Sequence, residues 1–279
     1  MIAAFSAAIL SAVCYGLASV LQARAARGTG GGERATPRML VRVLRQSPFL
    51  VGMLLDLVGF AGQVLALRGL PLFVVQAAQA GNLAVTALAA VPILGIRLGA
   101  RQWIAVLAVC AGLALLGAGS GPQATAGTGT PARVMLLVAA LALAGGGIAA
   151  TRLPPRAGPI VLGIVAGLGF GVTALAVRSL PSLALTRLLH DPAGYAVAIS
   201  GPSAFLSFAT GLQRGAVTTI AALVIIGETA LPAALGIALW HDRTRPGWTV
   251  PALAGFALAV AGALALARFA EPESVSRQA

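Results

Sequence analysis

The chain has 279 residues, 58% hydrophobic and only 9% charged, with a mean hydropathy of +0.94; a water-soluble domain is about a quarter charged, so a soluble globular fold is excluded. The net charge of +12 is carried by arginine alone, with no lysine. These arginines sit in short loops between apolar runs, with no basic domain able to dock a duplex, which sets nucleic acid aside and leaves an all-α integral membrane protein.

A spanning helix needs about 20 apolar residues. Runs of that kind cover approximately 2–23, 48–67, 71–95, 103–119, 133–151, 159–177, 192–213, 215–240 and 248–267, nine in all. The first is no obvious signal peptide, since no Lys or Arg precedes its core. It aligns Ser11, Tyr15, Ser19 and Gln22 on one face at 100° per residue. The loop 24–47 follows, with Arg24, Arg27, Arg34, Arg38, Arg42 and Arg45 against Glu33 alone. Within it, "PRMLVRVLRQ" from Pro37 puts Arg38, Arg42 and Arg45 on one face of an expected interfacial helix. Anionic lipid headgroups are the expected partners of Arg24, Arg27, Arg38, Arg42 and Arg45.

The second run aligns Gly52, Asp56, Gly59 and Gln63, and the third gathers Gln76, Gln79, Asn82 and Thr86. After the fourth, "SGPQATAGTGTPA" from Ser120 reads as a connection. The sixth carries Gly163, Gly167 and Gly171 four residues apart, a close-packing face. The seventh shows Ser200, Ser203, Ser207 and Thr210 on one face, the eighth Thr218, Glu228, Thr229 and Pro232. Stripes like these are either helix-to-helix glue or the lining of a wet cavity. Cys14 and Cys110 lie inside apolar runs without metal-type spacing and read as filler. His190-Asp191 and His241-Asp242 fall in loops assigned to one side, as interfacial caps or a metal or proton-entry cluster.

Of seven acids, only Asp56 and Glu228 fall at membrane depth. A carboxylate there costs roughly 2.5–3.5 kcal/mol even on the lenient insertion scale. No arginine lies within a helical turn or two of either, which leaves a neutral hydrogen-bonded acid, a proton carrier or a cation ligand. Pro232, four residues after Glu228, lacks the N–H that would occupy the carbonyl near Glu228.

Nine spans put the termini on opposite sides. Thirteen arginines then share the side of the 24–47 loop and six the other, so the N-terminus is expected outside and the C-terminus inside, in a multi-pass cell membrane protein. The halves also repeat. Arg68-Gly69 matches Arg214-Gly215, and Gly81-Asn82 falls on Gly227-Glu228 at the same offset; Trp103 matches Trp248, Gly117 matches Gly262, and Tyr15-Gly16 pairs with Phe170-Gly171. The expected organisation is a first repeat at 1–119 (helices one to four), a connecting segment with helix five at 120–158, a second, inverted repeat at 159–267 (helices six to nine) and a tail at 268–279.

The stretches "LGIRLGARQWIAVLAVCAGLALLG" from Leu94 and "ALWHDRTRPGWTVPALAGFALAVAGALAL" from Ala238 resemble the helix–loop–helix that closes each repeat of the drug/metabolite transporter superfamily, in its EamA-like form. The opening "YGLASVLQARAAR" from Tyr15 is similar to the first helix of the NIPA-type magnesium-transporter branch, whose nine spans and outside N-terminus it would also suit. Where the family has Gly-Glu-Arg, this chain has Gly95-Ile96-Arg97 and, in the second copy, only Asp242-Arg243.

No Ser/His/Asp set at membrane depth, no HExxH, no phosphate-binding glycine loop and no CxxC points to an enzyme. The expected function is secondary transport around a midplane cavity, with Glu228, Asp56, Asn82, Gln79, Gln76, Gln63, Tyr15, Ser203, Ser207 and Thr229 along the path. A small solute moved with protons fits the uncharged stripes. Mg²⁺ fits the NIPA-like opening, with Glu228 and Asp56 as ligands; a non-transporting lipid or protein scaffold is the alternative from another class. No cofactor is expected beyond a transported or coupling H⁺ or Mg²⁺, and a second copy of the chain is a candidate partner.

Overall fold

The computed structural model describes residues 2–27, 46–95, 97–120, 129–240 and 244–269, without the side chains of residues 26, 27, 185, 217, 218, 238–240 and 269. The expected interfacial helix with Arg38, Arg42 and Arg45, most of the connection after Ser120, the His241-Asp242 pair and the tail beyond 269 lie outside the described residues. So does the Thr218 side chain.

The described elements are helical: α1 (Ile2–Arg27), α2 (Ser47–Leu67), α3 (Leu72–Ala80), α4 (Asn82–Leu94), α5 (Ala100–Gly119), α6 (Thr130–Ala150), α7 (Gly158–Ser179), the one-turn α8 (Leu185–Leu188), α9 (Pro192–Arg214), α10 (Val217–Trp240) and α11 (Thr249–Phe269). Among the described residues, nine spans are long and apolar enough to cross a membrane, with α3 and α4 together making the third. Each expected run is therefore found, with two differences. The third is interrupted at Gly81, and a turn of helix precedes α9.

Local chemistry explains the ends. Proline occupies the first turn of α2, α6, α7 and α9, where its missing N–H costs nothing. Asp191 caps α9 by accepting the Ala193 N–H at 2.9 Å. Its other carboxylate oxygen takes Arg133 Nη1 at 2.8 Å, tying the start of α6 to that of α9. α4 stops at Gly95, whose φ of +69° is a left-handed cap that a side chain would strain.

α1 packs on α2 and on α3 and α4; α7 packs on α9 and α10. α5 lies along α11, and α3 crosses α10. α6 lies on α7 and α9. α7 is the most enclosed span, 72% of its apolar window being buried, whereas α6 is the least at 17%.

The contacts also give direction. A Cβ at Gly69, past the end of α2, would meet Ala4 at the start of α1; one at Gly215, past the end of α9, would meet Pro159 at the start of α7. Arg178, at the end of α7, reaches the carbonyls of Leu67 and Leu70. α1 thus begins at the end of the bundle where α7 finishes. α5 and α11 run antiparallel, with Gly262 beside Ala105 and Gly255 beside Leu115 and Leu116.

Without water to drive apolar association, helices in lipid are held by close packing of small residues. The Gly163, Gly167 and Gly171 face does this, meeting Leu223, Val224 and Gly227 of α10. At Gly167 an added Cβ would stand 2.8 Å from the Leu223 carbonyl oxygen, whereas at Gly145 nothing lies within 4 Å. Gly167→Ala is expected to cost about 1–3 kcal/mol through overpacking and Gly145→Ala to be neutral or stabilising. Thermal unfolding of both variants in detergent checks this, with the midpoint falling only for Gly167→Ala.

Candidate functional site

The stripes of α1 and α2 face each other. Ser11 Oγ donates to the Gly59 carbonyl at 2.7 Å, Tyr15 Oη to Gln63 Oε1 at 3.2 Å, and Gln22 Nε2 to Asp56 Oδ2 at 2.6 Å. Gly52 and Gly59 make room, since a Cβ at either would sit within about a van der Waals contact of Gln22 and Tyr15 respectively. Asp56 is therefore not bare toward lipid, nor is it paired with a cation among the described residues. It is half-buried and accepts a side-chain amide from the neighbouring helix.

α3 closes this seam from one side. Gln79 Nε2 donates to Ser11 Oγ at 2.9 Å, and both residues are buried. On the next face, Gln76 Nε2 reaches across to α10 and donates to the backbone carbonyl of Glu228. That carbonyl is the one that loses its helical donor to Pro232. The eighth span creates an orphan acceptor at membrane depth, and the third supplies the donor. Gln76 is 2% exposed, and among the described residues its own Oε1 has no hydrogen-bond partner.

Glu228 itself is half-buried in the middle of α10. The Tyr15 phenol lies within electrostatic range of both the Asp56 and the Glu228 carboxylates. The hydrogen bonds of this group go to glutamines, the Tyr15 phenol to Gln63 and the Asp56 carboxylate to Gln22. Gln76 joins this level through the Glu228 backbone carbonyl, while Gln79 joins the seam through Ser11. Asn82 stands half-buried at the interruption of the third span, where a Cβ at Gly16 would lie 2.8 Å from the Asn82 carbonyl oxygen. At Gly171, the residue that the sequence comparison pairs with Gly16, a Cβ would meet the Gly227 carbonyl at 3.2 Å.

Other expected path residues lie elsewhere or are spent locally. Ser203 and Ser207 line an open groove of about 170 Å³ between α6, α7 and α9, with Thr210, Gly147 and Leu162. Ser203 and Thr210 turn their hydroxyls to Ser200 and Leu206 carbonyls of their own helix. Thr229 is buried and bonds back to the Ile225 carbonyl at 2.5 Å. A second void, of about 200 Å³, is bounded by Phe60, Val64, Val177, Leu180 and Val197 and is apolar. His190 is exposed and its ring bonds to the Thr186 carbonyl, while Asp191 is taken by Arg133 and the α9 cap. Among the described residues, no three His, Cys, Asp or Glu gather as a metal cluster.

Sequence reasoning singled out neither Gln22 as the partner of Asp56 nor the destination of the Gln76 amide. The first had a signal, because Gln22 sits on the α1 stripe; the second had only half of one, because Pro232 marks a free carbonyl without saying which helix answers it. No family model, no curated protein and no solved structure matches the chain. The resemblance to drug/metabolite transporters therefore rests on its sequence motifs.

The Gln76–Glu228 bond has a specific consequence. Gln76→Leu is expected to cost about 0.6–1.7 kcal/mol, the range of interhelical hydrogen bonds in a membrane. In a Pro232→Ala background, where residue 232 regains its N–H, the same change is expected to cost distinctly less. A double-mutant cycle on unfolding in mixed micelles reads the coupling; strictly additive costs would contradict the assignment.

Proposed function

We propose that the chain is a secondary transporter of the drug/metabolite type that carries a small solute coupled to protons, by alternating access around the Tyr15, Asp56 and Glu228 cluster. The observation that carries this reading is the polar network that links the level of Glu228 to the α1–α2 seam holding Asp56, through Gln76 and Gln79 of α3. Each acid stands at membrane depth without a cationic partner among the described residues, and such groups mark ion and substrate pathways. The glutamine-, serine- and tyrosine-rich surroundings suit a polar organic solute that is oriented by hydrogen bonds.

Packing supports an inverted repeat as the scaffold. α1 with α2 and the third span mirrors α7 with α9 and α10. The equivalent glycines Gly69 and Gly215 abut the starts of α1 and α7 respectively, and Gly16 and Gly171 abut the same level of the third and eighth spans. Opposed directions of α1 and α7, and of α5 and α11, are what an inverted pair requires. Arginine bias favours the Arg68 end outside the cell and the Arg24 end inside. Mg²⁺ is the less favoured cargo, because the carbonyl freed by Pro232 is already occupied by Gln76 and only two carboxylates remain.

Reconstitution into liposomes with an entrapped pH dye tests the reading, with a Mg²⁺ dye run in parallel. Wild type is expected to dissipate an imposed pH gradient faster than empty liposomes, Glu228→Gln to fall to the empty-liposome rate, and Asp56→Asn to lie between, all three with unchanged thermal stability. Equal proton flux through wild type and Glu228→Gln contradicts it, and a Glu228-dependent Mg²⁺ flux without proton flux moves the assignment to the cation.

A further inference from the structure

At one end of the bundle two arginines bind the halves reciprocally. Arg178, in the last turn of α7, donates Nη1 to the carbonyls of Leu67 and Leu70 at the end of α2. Arg68, one residue beyond α2, donates Nη2 to the Leu180 carbonyl just past α7 at 2.9 Å. Helix-end carbonyls have no intrahelical donor and carry the negative end of the helix dipole. A guanidinium, with five donors in a rigid fork, suits two such carbonyls at once.

The register of the two halves transposes this arrangement to the opposite end. Ala4 and Gly16 of α1 correspond to Pro159 and Gly171 of α7, and Arg68 corresponds to Arg214. On the same registers Leu180 corresponds to Ala25, and Leu67 and Leu70 to Gln213 and Ala216. Arg178 falls on Ala23, with Arg24 one residue on, the same slip that relates Trp103 to Trp248. The chain therefore carries a second arginine pair, Arg24 and Arg214, placed as the first pair is.

That second clasp is not made here. Arg24 is exposed. Arg214 instead donates to the carbonyls of Thr151 and Leu153, at 2.9 and 3.0 Å, in the connection before α7. Helix packing shows the same asymmetry: α2 touches α7 at the clasped end, while the corresponding pair, α9 and α1, makes no comparable contact.

We infer that Arg24 and Arg214 form the counterpart clasp in the other state of the carrier, Arg24 on the carbonyls of Gln213 and Ala216 and Arg214 on that of Ala25, as the Arg68–Arg178 clasp opens. The inference rests on the transport reading and adds to it the locks that hold each end shut. Each clasp consists of three arginine–carbonyl bonds, so the exchange trades like for like at the two ends, and its cost is the two bonds to Thr151 and Leu153 that Arg214 gives up, which favours the state seen here. This structure is then the state closed at the Arg68 end.

Spin-label distances in proteoliposomes test it, in a Cys14→Ser, Cys110→Ser background. Labels at the exposed residues Leu65 and Leu183 report the Arg68 end, and labels at Val51 and Ile160 report the Arg24 end. In Arg68→Gln/Arg178→Gln, or in Arg178→Lys should that variant fold poorly, the first pair is expected to move apart and the second to close. Adding Arg24→Gln, which removes no bond present in this structure, is expected to reverse the second change several-fold in population. Distances that ignore Arg24→Gln in that background, or that do not respond to the first variants, overturn the inference. Proton flux and its loss in Glu228→Gln are read separately, so the clasp can fail while the carrier stands.

Discussion

A carbonyl without a donor in a solvent that offers none is the constraint around which the middle of this molecule is arranged. Pro232 leaves the Glu228 carbonyl unpaired within α10, and hydrocarbon cannot satisfy it. Gln76 crosses from α3 to do so, which fixes the third and eighth spans at one level. The price is a buried amide oxygen with no partner among the described residues. That level is also where the third span is interrupted at Gly81 and where the α10 carboxylate stands half-buried.

Close approach and polar bonding divide the work differently along the helices. Between α7 and α10 the contact is backbone to backbone at Gly167 and Gly227, with Gly163 seated against the Leu223 side chain. Between α1 and α2 it is a ladder of side-chain bonds, from Ser11 through Tyr15 to Gln22. The first kind of seam is dry and tight. The second contains an ionisable group, Asp56, held by the Gln22 amide.

Much of the fold was legible because a bilayer permits few solutions. Runs of about 20 apolar residues can only be spans, and all nine expected runs are helices here. The glycine face of the sixth span was readable from its spacing, and the paired stripes of Ser11, Tyr15, Gln22 and of Asp56, Gly59, Gln63 from helical periodicity. Which stripe meets which helix was not, because periodicity gives a face but no azimuth. Hence of the seventh-span serines, equal in pattern to the others, Ser203 and Ser207 line the groove beside α6 while Ser200 meets Thr173 of α7. Thr229 was likewise misleading, as a threonine in a helix can bond its own preceding turn. The arginine clasp escaped reading altogether, since its acceptors are main-chain atoms and carry no sequence signature.

The account stands on both membrane-depth carboxylates sharing one enclosure that water can enter. Carbodiimide modification in proteoliposomes, read by mass spectrometry of the peptides carrying Asp56 and Glu228, tests this most directly. A water-soluble reagent is predicted to modify both residues, and both together to be protected when either is blocked first. Modification by a lipid-soluble reagent alone, or of neither residue by the water-soluble one, would contradict it.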